Sequence, residues 1–345
     1  MSTARLERFT YQCVEPLDWF QFRCLLWEAL PWVPRQDPDR WQRVAHIVNG
    51  TCPQSPPCDA AAVERAYQAM AAFKPAVREL AGGNGKGLKL WTEILYEMAQ
   101  DRFGQPLFMN LGYVPEADRP QLALEAGDEP FRLFIQLYER LVDGFNLKDK
   151  QVLEMGCGSG GGASYLHRYH GPAELTGIDY VQRNIETCRR LHRLPGLSFQ
   201  QGKAQDLDLP DNHFDAVISL EATGGCPSVP DVMAEARRVL RPGGVFLFAD
   251  IRPVEEEWGP DRTVSSLHRQ IADSGLEIEK SADISPGILH SIDLQESARR
   301  EALQSFHDES NSLKHFEEIM VLQGSLNYRK LESGQMQYWA FRCRK

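Results

Sequence analysis

A carboxylate at the tip of an apolar run, followed at once by glycines, is the arrangement in this chain with the plainest chemical use. Val152-Leu-Glu-Met-Gly-Cys-Gly-Ser-Gly-Gly-Gly162 places Glu154 two residues before Gly156, and a helix-like segment follows. Glycines lack a Cβ, so the backbone can approach a ligand closely, and the next helix offers unpaired N–H groups. Gly156, Gly158 and Gly161 also satisfy the dinucleotide fingerprint G-x-G-x-x-G, so this string alone leaves the ligand ambiguous. A second acid, Asp179, ends the apolar run Thr176-Gly-Ile-Asp179, 23 residues after Gly156, placed to accept from two ribose hydroxyls. Gln201-Gly-Lys-Ala-Gln-Asp206 is a turn able to offer backbone N–H and a side-chain amide to an adenine edge. Ser219-Leu-Glu-Ala-Thr-Gly-Gly225 carries Glu221 into a loop that would flank the reactive end of the bound molecule.

Strands must bring these residues together. The pattern predicts strands at 151–155, 174–178, 197–201, 214–219 and 244–250, with helices at 129–143, 161–170, 181–193 and 229–239. Apolar strands alternating with helices imply a parallel sheet covered on both faces, with its ligand beyond the carboxyl ends of the strands. A helix near 261–273, a strand near 276–284, a helical insertion over 286–322 and a closing strand at 335–343 complete the pattern. The first 105 residues differ: Trp19, Phe20, Phe22, Leu25, Leu26, Trp27 and Leu30 recur at helical spacing. The glycines of 82–87 form a flexible joint, since no strand precedes them and no Lys-Ser/Thr follows. Four divisions are expected: a helical appendage over 1–105 that caps the main domain or pairs two subunits, a ligand-binding core over 106–285, a lid over 286–326, and a terminal strand over 327–345.

The chain has 345 residues, 42% of them hydrophobic, and a formal net charge of −10. That content supplies a full core, while the charge and the lack of a basic stripe argue against nucleic acid as a partner. The eight cysteines include no C-x-x-C, and His167 and His170 have no third ligand beside them, so no metal is expected. Without a signal peptide or a run of 18 apolar residues, the reading is a cytoplasmic protein with reduced thiols and no membrane insertion.

Taken in order, these segments resemble the class I S-adenosylmethionine-dependent methyltransferases over roughly residues 106–285 plus the last strand. Glu154 through Gly160 is similar to their glycine-rich first motif, and Asp179 to their ribose-binding acid. His213-Phe-Asp-Ala-Val-Ile-Ser219 resembles the strand before the catalytic loop, and Leu240-Arg-Pro-Gly-Gly244 the turn after the next helix. Asn110-Leu-Gly-Tyr113, Asp128-Glu-Pro130, Gly160-Gly-Gly-Ala-Ser-Tyr165 and His192-Arg-Leu-Pro-Gly196 look like the small-molecule branch that methylates polyketide-derived lipids and glycolipids. The mycobacterial phthiotriolone and glycopeptidolipid methyltransferases belong to that branch. The resemblance implies an α/β, Rossmann-like, seven-stranded doubly wound sheet with a reversed last strand, an N-terminal helical region and a helical lid. It implies that Glu154 and the backbone at Gly156 and Gly158 hold the methionine part of S-adenosylmethionine, and that Asp179 takes the ribose. Tyr180, Ala204 and Gln205 would border the adenine, Tyr113 would close over the cofactor's carboxylate, and Glu221 would reach the amino-acid end.

Two departures bear on mechanism. Lys203 stands where relatives carry Asp, so Gln205 or Gln201 would have to accept from the adenine amino group. Relatives often place a His after the Glu-Ala pair, where this chain reads Thr223-Gly-Gly-Cys226. The candidate bases are then Glu221 itself and the lid histidines His290, His307 and His315. The expected reaction is methyl transfer to a hydroxyl of a small or medium apolar natural product. Methylation at carbon or nitrogen and a non-catalytic protein on the same fold remain as alternatives; a NAD-binding oxidoreductase loses, since the chain has no second catalytic domain and no plausible Tyr-x-x-x-Lys.

Overall fold

The computed structural model describes residues 107–345 except 118–119, 227, 256–259, 305–316 and 318–319, together with 38–39, 41–43 and 60–61. The chain divides into two compact units, Met1–Gly87 with His307–His315, and Leu88–Phe306 with Phe316–Lys345. Every element below belongs to the second. The aromatic residues from Trp19 to Trp27, the glycines of 82–87, and His307 and His315 of the lid lie outside the described residues.

The second unit alternates helix and strand: α1 (Arg132–Val142), β1 (Gln151–Met155), α2 (Gly161–His170), β2 (Glu174–Asp179), α3 (Gln182–Leu191), β3 (Leu197–Gln201), β4 (Phe214–Leu220), α4 (Val229–Val239) and β5 (Leu240–Pro253). It continues with α5 (Val264–Asp273), β6 (Glu277–Asp283), α6 (Ser285–Gln304), α7 (Leu326–Glu332) and β7 (Met336–Arg344). The seven strands lie in the order β3-β2-β1-β4-β5-β7-β6. β7 runs antiparallel to both of its neighbours, and the pairs among β1 to β5 are parallel.

Side chains alternate across a strand, so one sheet feeds two cores. Val152, Ala216, Val245 and Leu247 face a core that α1, α2 and α3 close with Ile135, Leu137, Leu166 and Ile185. Leu153, Met155, Val217, Phe246 and Phe248 face the other, closed by Val232, Met233 and Ile271. Phe246, Phe248 and Phe341 stack with centroids 4.7 and 4.9 Å apart, tying β7 to β5. Helix starts follow local chemistry. Ser228 accepts from Asp231 N at 3.3 Å to open α4, and Thr263 accepts from Ser266 N at 3.0 Å to open α5, each satisfying an otherwise orphaned donor.

The parallel strands reverse their order between β1 and β4, which opens a crevice at the carboxyl ends.

Candidate active site

The crevice is lined from five directions. The β1 tip contributes Gly156 to Ser159, the β2 tip Ile178 to Val181, and the turn after β3 Gly202, Ala204 and Gln205. The loop after β4 contributes Glu221, Ala222, Gly225 and Cys226, and the segment before α1 lays Leu107 to Asn110 across the front.

Asp179 is the hub of the β2 side. Its Oδ2 accepts from Gly158 N, and its Oδ1 accepts from Val181 N and from Asn184 Nδ2, all at 2.9 Å. Burial pushes its carboxyl above the usual range, and those three donors offset part of the rise. The acid therefore fixes the glycine turn as well as facing the crevice. Tyr180 stands beside it, 36% exposed as a residue, enough to offer a face to a flat ligand. Gln205 lies on the wall, whereas Gln201 donates its amide to Tyr180 O at 3.0 Å and Lys203 is exposed.

Two further carboxyls are buried. Glu154 is 1% exposed, and its Oε1 accepts from the Tyr138 hydroxyl at 2.8 Å. Burial pushes it up to about 8, with the Tyr138 hydroxyl holding it back. Glu154 is therefore set behind Tyr138, and the tyrosine itself forms part of the wall. Gly162 makes this possible: a Cβ there would fall 1.9 Å from Tyr138 Cζ, so only glycine lets the α1 ring reach across α2.

Glu221 lies on the wall and adopts a left-handed φ of +55°. A non-glycine residue holds that conformation only where its surroundings over-determine it. Here its amide donates to Ala249 O at 2.9 Å, while Oε1 accepts from Leu111 N at 2.9 Å and from the Tyr338 hydroxyl at 2.8 Å. Burial pushes its carboxyl up to about 7, and Arg299 and its two donors oppose that rise. A group that ionises near neutral pH beside a cleft is suited to take a proton. Behind the same loop, Asp250 Oδ2 accepts from Thr223 Oγ1 at 2.6 Å and Gly224 N at 2.5 Å. Arg262 donates to Gly224 O and Cys226 O at 2.6 and 2.8 Å, so the loop is fixed at both ends. Burial pushes the Cys226 thiol up to about 11, which keeps it neutral and makes it a poor nucleophile.

Gly156, Gly158, Asp179, Tyr180, Ala204, Gln205 and Glu221 thus meet at one cleft. Two further expected residues, Tyr113 and His290, lie off that wall. Tyr113 does not close over the front: its ring packs into the gap left by Gly287 of α6, where a Cβ would fall 2.1 Å from Tyr113 Cε2. Its hydroxyl donates to Glu116 Oε1 at 3.1 Å and its amide to Leu133 O at 2.9 Å, so it anchors the segment whose earlier residues do the covering. His290 is exposed on α6 and takes no part in the wall, because the buried face of that helix is made by Ile288, Ser291 and Ile292. Among the described residues no cluster of His, Cys, Asp and Glu is arranged to hold a metal ion. No helix of the described residues is long and apolar enough to cross a membrane. Sequence reasoning missed Tyr138, Asn184, Tyr338 and the Leu111 amide. Asn184 alone left a signal, standing five residues after Asp179 at the start of a helix.

A strand-tip cleft of this kind, on a seven-stranded sheet with a reversed last strand, defines a class I methyltransferase core. A protein-family model for a methyltransferase domain matches residues 153–248. A phthiotriol/phenolphthiotriol dimycocerosates methyltransferase of Mycobacterium leprae is 36% identical over 261 residues, covering 75% of this chain and 93% of that protein. A fatty-acid O-methyltransferase of Mycolicibacterium smegmatis is 43% identical over 175 residues, 50% of this chain and 60% of that protein. Among solved structures, geranyl diphosphate C-methyltransferase from Streptomyces coelicolor A3(2), in complex with S-adenosyl-L-homocysteine, has a TM-score of 0.53 at 17% identity. It covers 72% of this chain and 97% of its own, and at that identity it speaks for the fold. The chain belongs to the S-adenosylmethionine-dependent methyltransferases, and S-adenosylmethionine is its cofactor. The residues present fit that cofactor. At Gly158 a Cβ would project to 3.5 Å from Met109 Sδ, across space that the glycine turn leaves free, and Asp179 presents a carboxylate beside it.

Proposed function

We propose that this enzyme methylates a hydroxyl oxygen of a small or medium apolar acceptor, derived from a lipid or a polyketide. Asp179 would hold the ribose, Tyr180, Ala204 and Gln205 the adenine, and the backbone at Gly156 and Gly158 the amino-acid part, with Glu154 supporting that end through Tyr138. The cofactor supplies an electrophilic methyl group on a sulfonium. Glu221 would take the acceptor's hydroxyl proton, leaving the oxygen free to accept that methyl group. The Leu111 amide and the Tyr338 hydroxyl hold the Glu221 carboxyl in place on the wall and stabilise its charge. The single observation that carries this reading is a buried carboxyl on the cleft wall, that of Glu221, held by the Leu111 amide and the Tyr338 hydroxyl. An alcohol gains most from such a base, about 10²–10⁴-fold, and needs alignment besides.

The names of the relatives support the acceptor class, since one acts on phthiotriol dimycocerosates and another on fatty acids. Leu107, Phe108, Met109, Leu220 and Ala222 make part of the wall apolar, which suits such a molecule. The test is incubation of the purified protein with methyl-labelled S-adenosylmethionine and hydroxylated lipids or polyketide alcohols, followed by mass spectrometry and NMR of the product. An O–CH₃ resonance supports the proposal; a C–CH₃ or N–CH₃ product, or no turnover of any apolar acceptor, refutes it.

A further inference from the structure

One backbone carbonyl, that of Leu111, accepts from three side chains of the same helix. Ser291 Oγ, Gln295 Nε2 and Arg299 Nη2 each reach it at 3.1 Å. The three residues are spaced i, i+4, i+8 on α6, so they form a single stripe on the face turned to the strap at 107–113. The stripe is bonded within itself as well: Gln295 Nε2 donates to Ser291 Oγ at 2.8 Å, and Arg299 Nη2 to Gln295 Oε1 at 3.2 Å. Arg299 also donates from Nη1 to Met320 O at 2.7 Å, which ties the stripe to a later part of the lid.

The strap is shaped to receive it. Gly112 has φ +76°, and a Cβ there would fall 2.4 Å from Ser291 Oγ and 2.9 Å from Gln295 Nε2. Asn110 Oδ1 accepts from Gly112 N at 2.9 Å and closes the turn. A partly buried guanidinium is costly unless paired, and a carbonyl has two lone pairs for three donors. Generic packing of a helix on a loop requires neither. The purpose lies on the other side of Leu111, whose amide donates to Glu221 Oε1. One residue thus joins the α6 stripe to the carboxyl on the cleft wall.

We propose that Arg299, acting with Ser291 and Gln295, is a positioning residue that grips the Leu111 carbonyl, fixes the strap over the cleft and so holds Glu221 in its strained conformation. Arg299 does not itself line the cleft. The catalytic consequence rests on Glu221 acting as proposed above, but the mechanical linkage does not.

The test is hydrogen–deuterium exchange on the full-length protein without ligand, paired with calorimetric titration of S-adenosylhomocysteine. The variants are Arg299→Met, Arg299→Lys and Ser291→Ala. Arg299→Met should speed exchange across 108–113 on the order of tenfold, as expected for loss of a charged hydrogen bond, while α6 keeps its protection. The same variant should weaken S-adenosylhomocysteine binding and lower kcat more than it raises KM. Arg299→Lys, which keeps the charge and a donor, should recover most of each effect. Ser291→Ala removes one donor without stranding a charge, so it should give a smaller rise at 108–113 and stands in should Arg299→Met not fold. Unchanged exchange at 108–113, or a rise spread evenly through α6, overturns the proposal. Failure of the base assignment would appear instead as full turnover in Glu221→Gln, with the exchange result unaffected.

Discussion

Replacing Glu221 by Gln tests the chemistry with little change of shape. The amide oxygen still accepts from Leu111 N and the Tyr338 hydroxyl, but the group no longer takes up a proton. With its carboxyl pushed up to about 7, the wild-type residue is mostly neutral at acid pH and mostly ionised in mild alkali. Activity that needs the carboxylate should therefore fall about tenfold for each pH unit below that value and level off above it. The variant should lose about 10²–10⁴-fold in kcat and show no acidic limb. Stability provides an independent reading. A carboxyl raised in the fold favours the protonated folded state, so its contribution is full below the ordinary value of 4.5 and is lost as pH rises through about 7. The shift corresponds to about 3 kcal/mol, so Glu221→Gln should melt higher than wild type near pH 9 and match it near pH 5. The assay is S-adenosylhomocysteine release across about pH 5.5 to about pH 9, with thermal melts at both ends. A variant that keeps the wild-type kcat and the same acidic limb refutes the assignment. A melting difference that grows toward acid refutes the electrostatics.

Asp179→Ala should weaken S-adenosylhomocysteine binding by about 1–3 kcal/mol, or roughly 5- to 150-fold, measured by calorimetry; unchanged affinity would contradict its place as the hub of the β2 wall. Gly162→Ala puts a methyl group into the Tyr138 ring, and should cost about 1–3 kcal/mol in denaturant titration along with cofactor affinity; a neutral result would mean that the ring is free to move aside. His290→Ala should leave kcat and KM within about twofold, because an exposed side chain off the cleft wall has no proton to take there. A large fall in its kcat would return the histidine to the list of bases.

The strands were legible because their chemistry is periodic. β1 and β3 begin and end where alternation and flanking turns place them, and α2 starts directly after the glycine turn. β5 extends back to Leu240, although Arg241 to Gly244 reads as a turn, since Leu240 pairs with Phe214 of β4, and Gly243 and Gly244 bond to Lys345, partners that local sequence does not announce. The cleft was legible in its own-strand parts, Gly156, Gly158, Asp179 and Glu221, because each sits at a strand tip. Its long-range parts were not. Tyr138 comes from α1 and Tyr338 from β7, and only tertiary packing brings them to Glu154 and Glu221. Tyr113 misled for the same reason: a conspicuous aromatic in the right segment points according to what the neighbouring helix leaves open, and Gly287 left it a berth away from the cleft.

The place of β7 bears on how the molecule comes into being. A strand made of residues 336–344 is wedged between β5 and β6, and its Tyr338 hydroxyl completes the seat of Glu221. During translation the ribosome releases β5 and β6 well before the strand that must divide them. Until it arrives, each presents an unpaired edge, which invites pairing with another chain. A nascent chain stalled short of Tyr338 would carry a glycine turn and Asp179 without a properly seated Glu221. Such a fragment would be a template for aggregation rather than a weak enzyme.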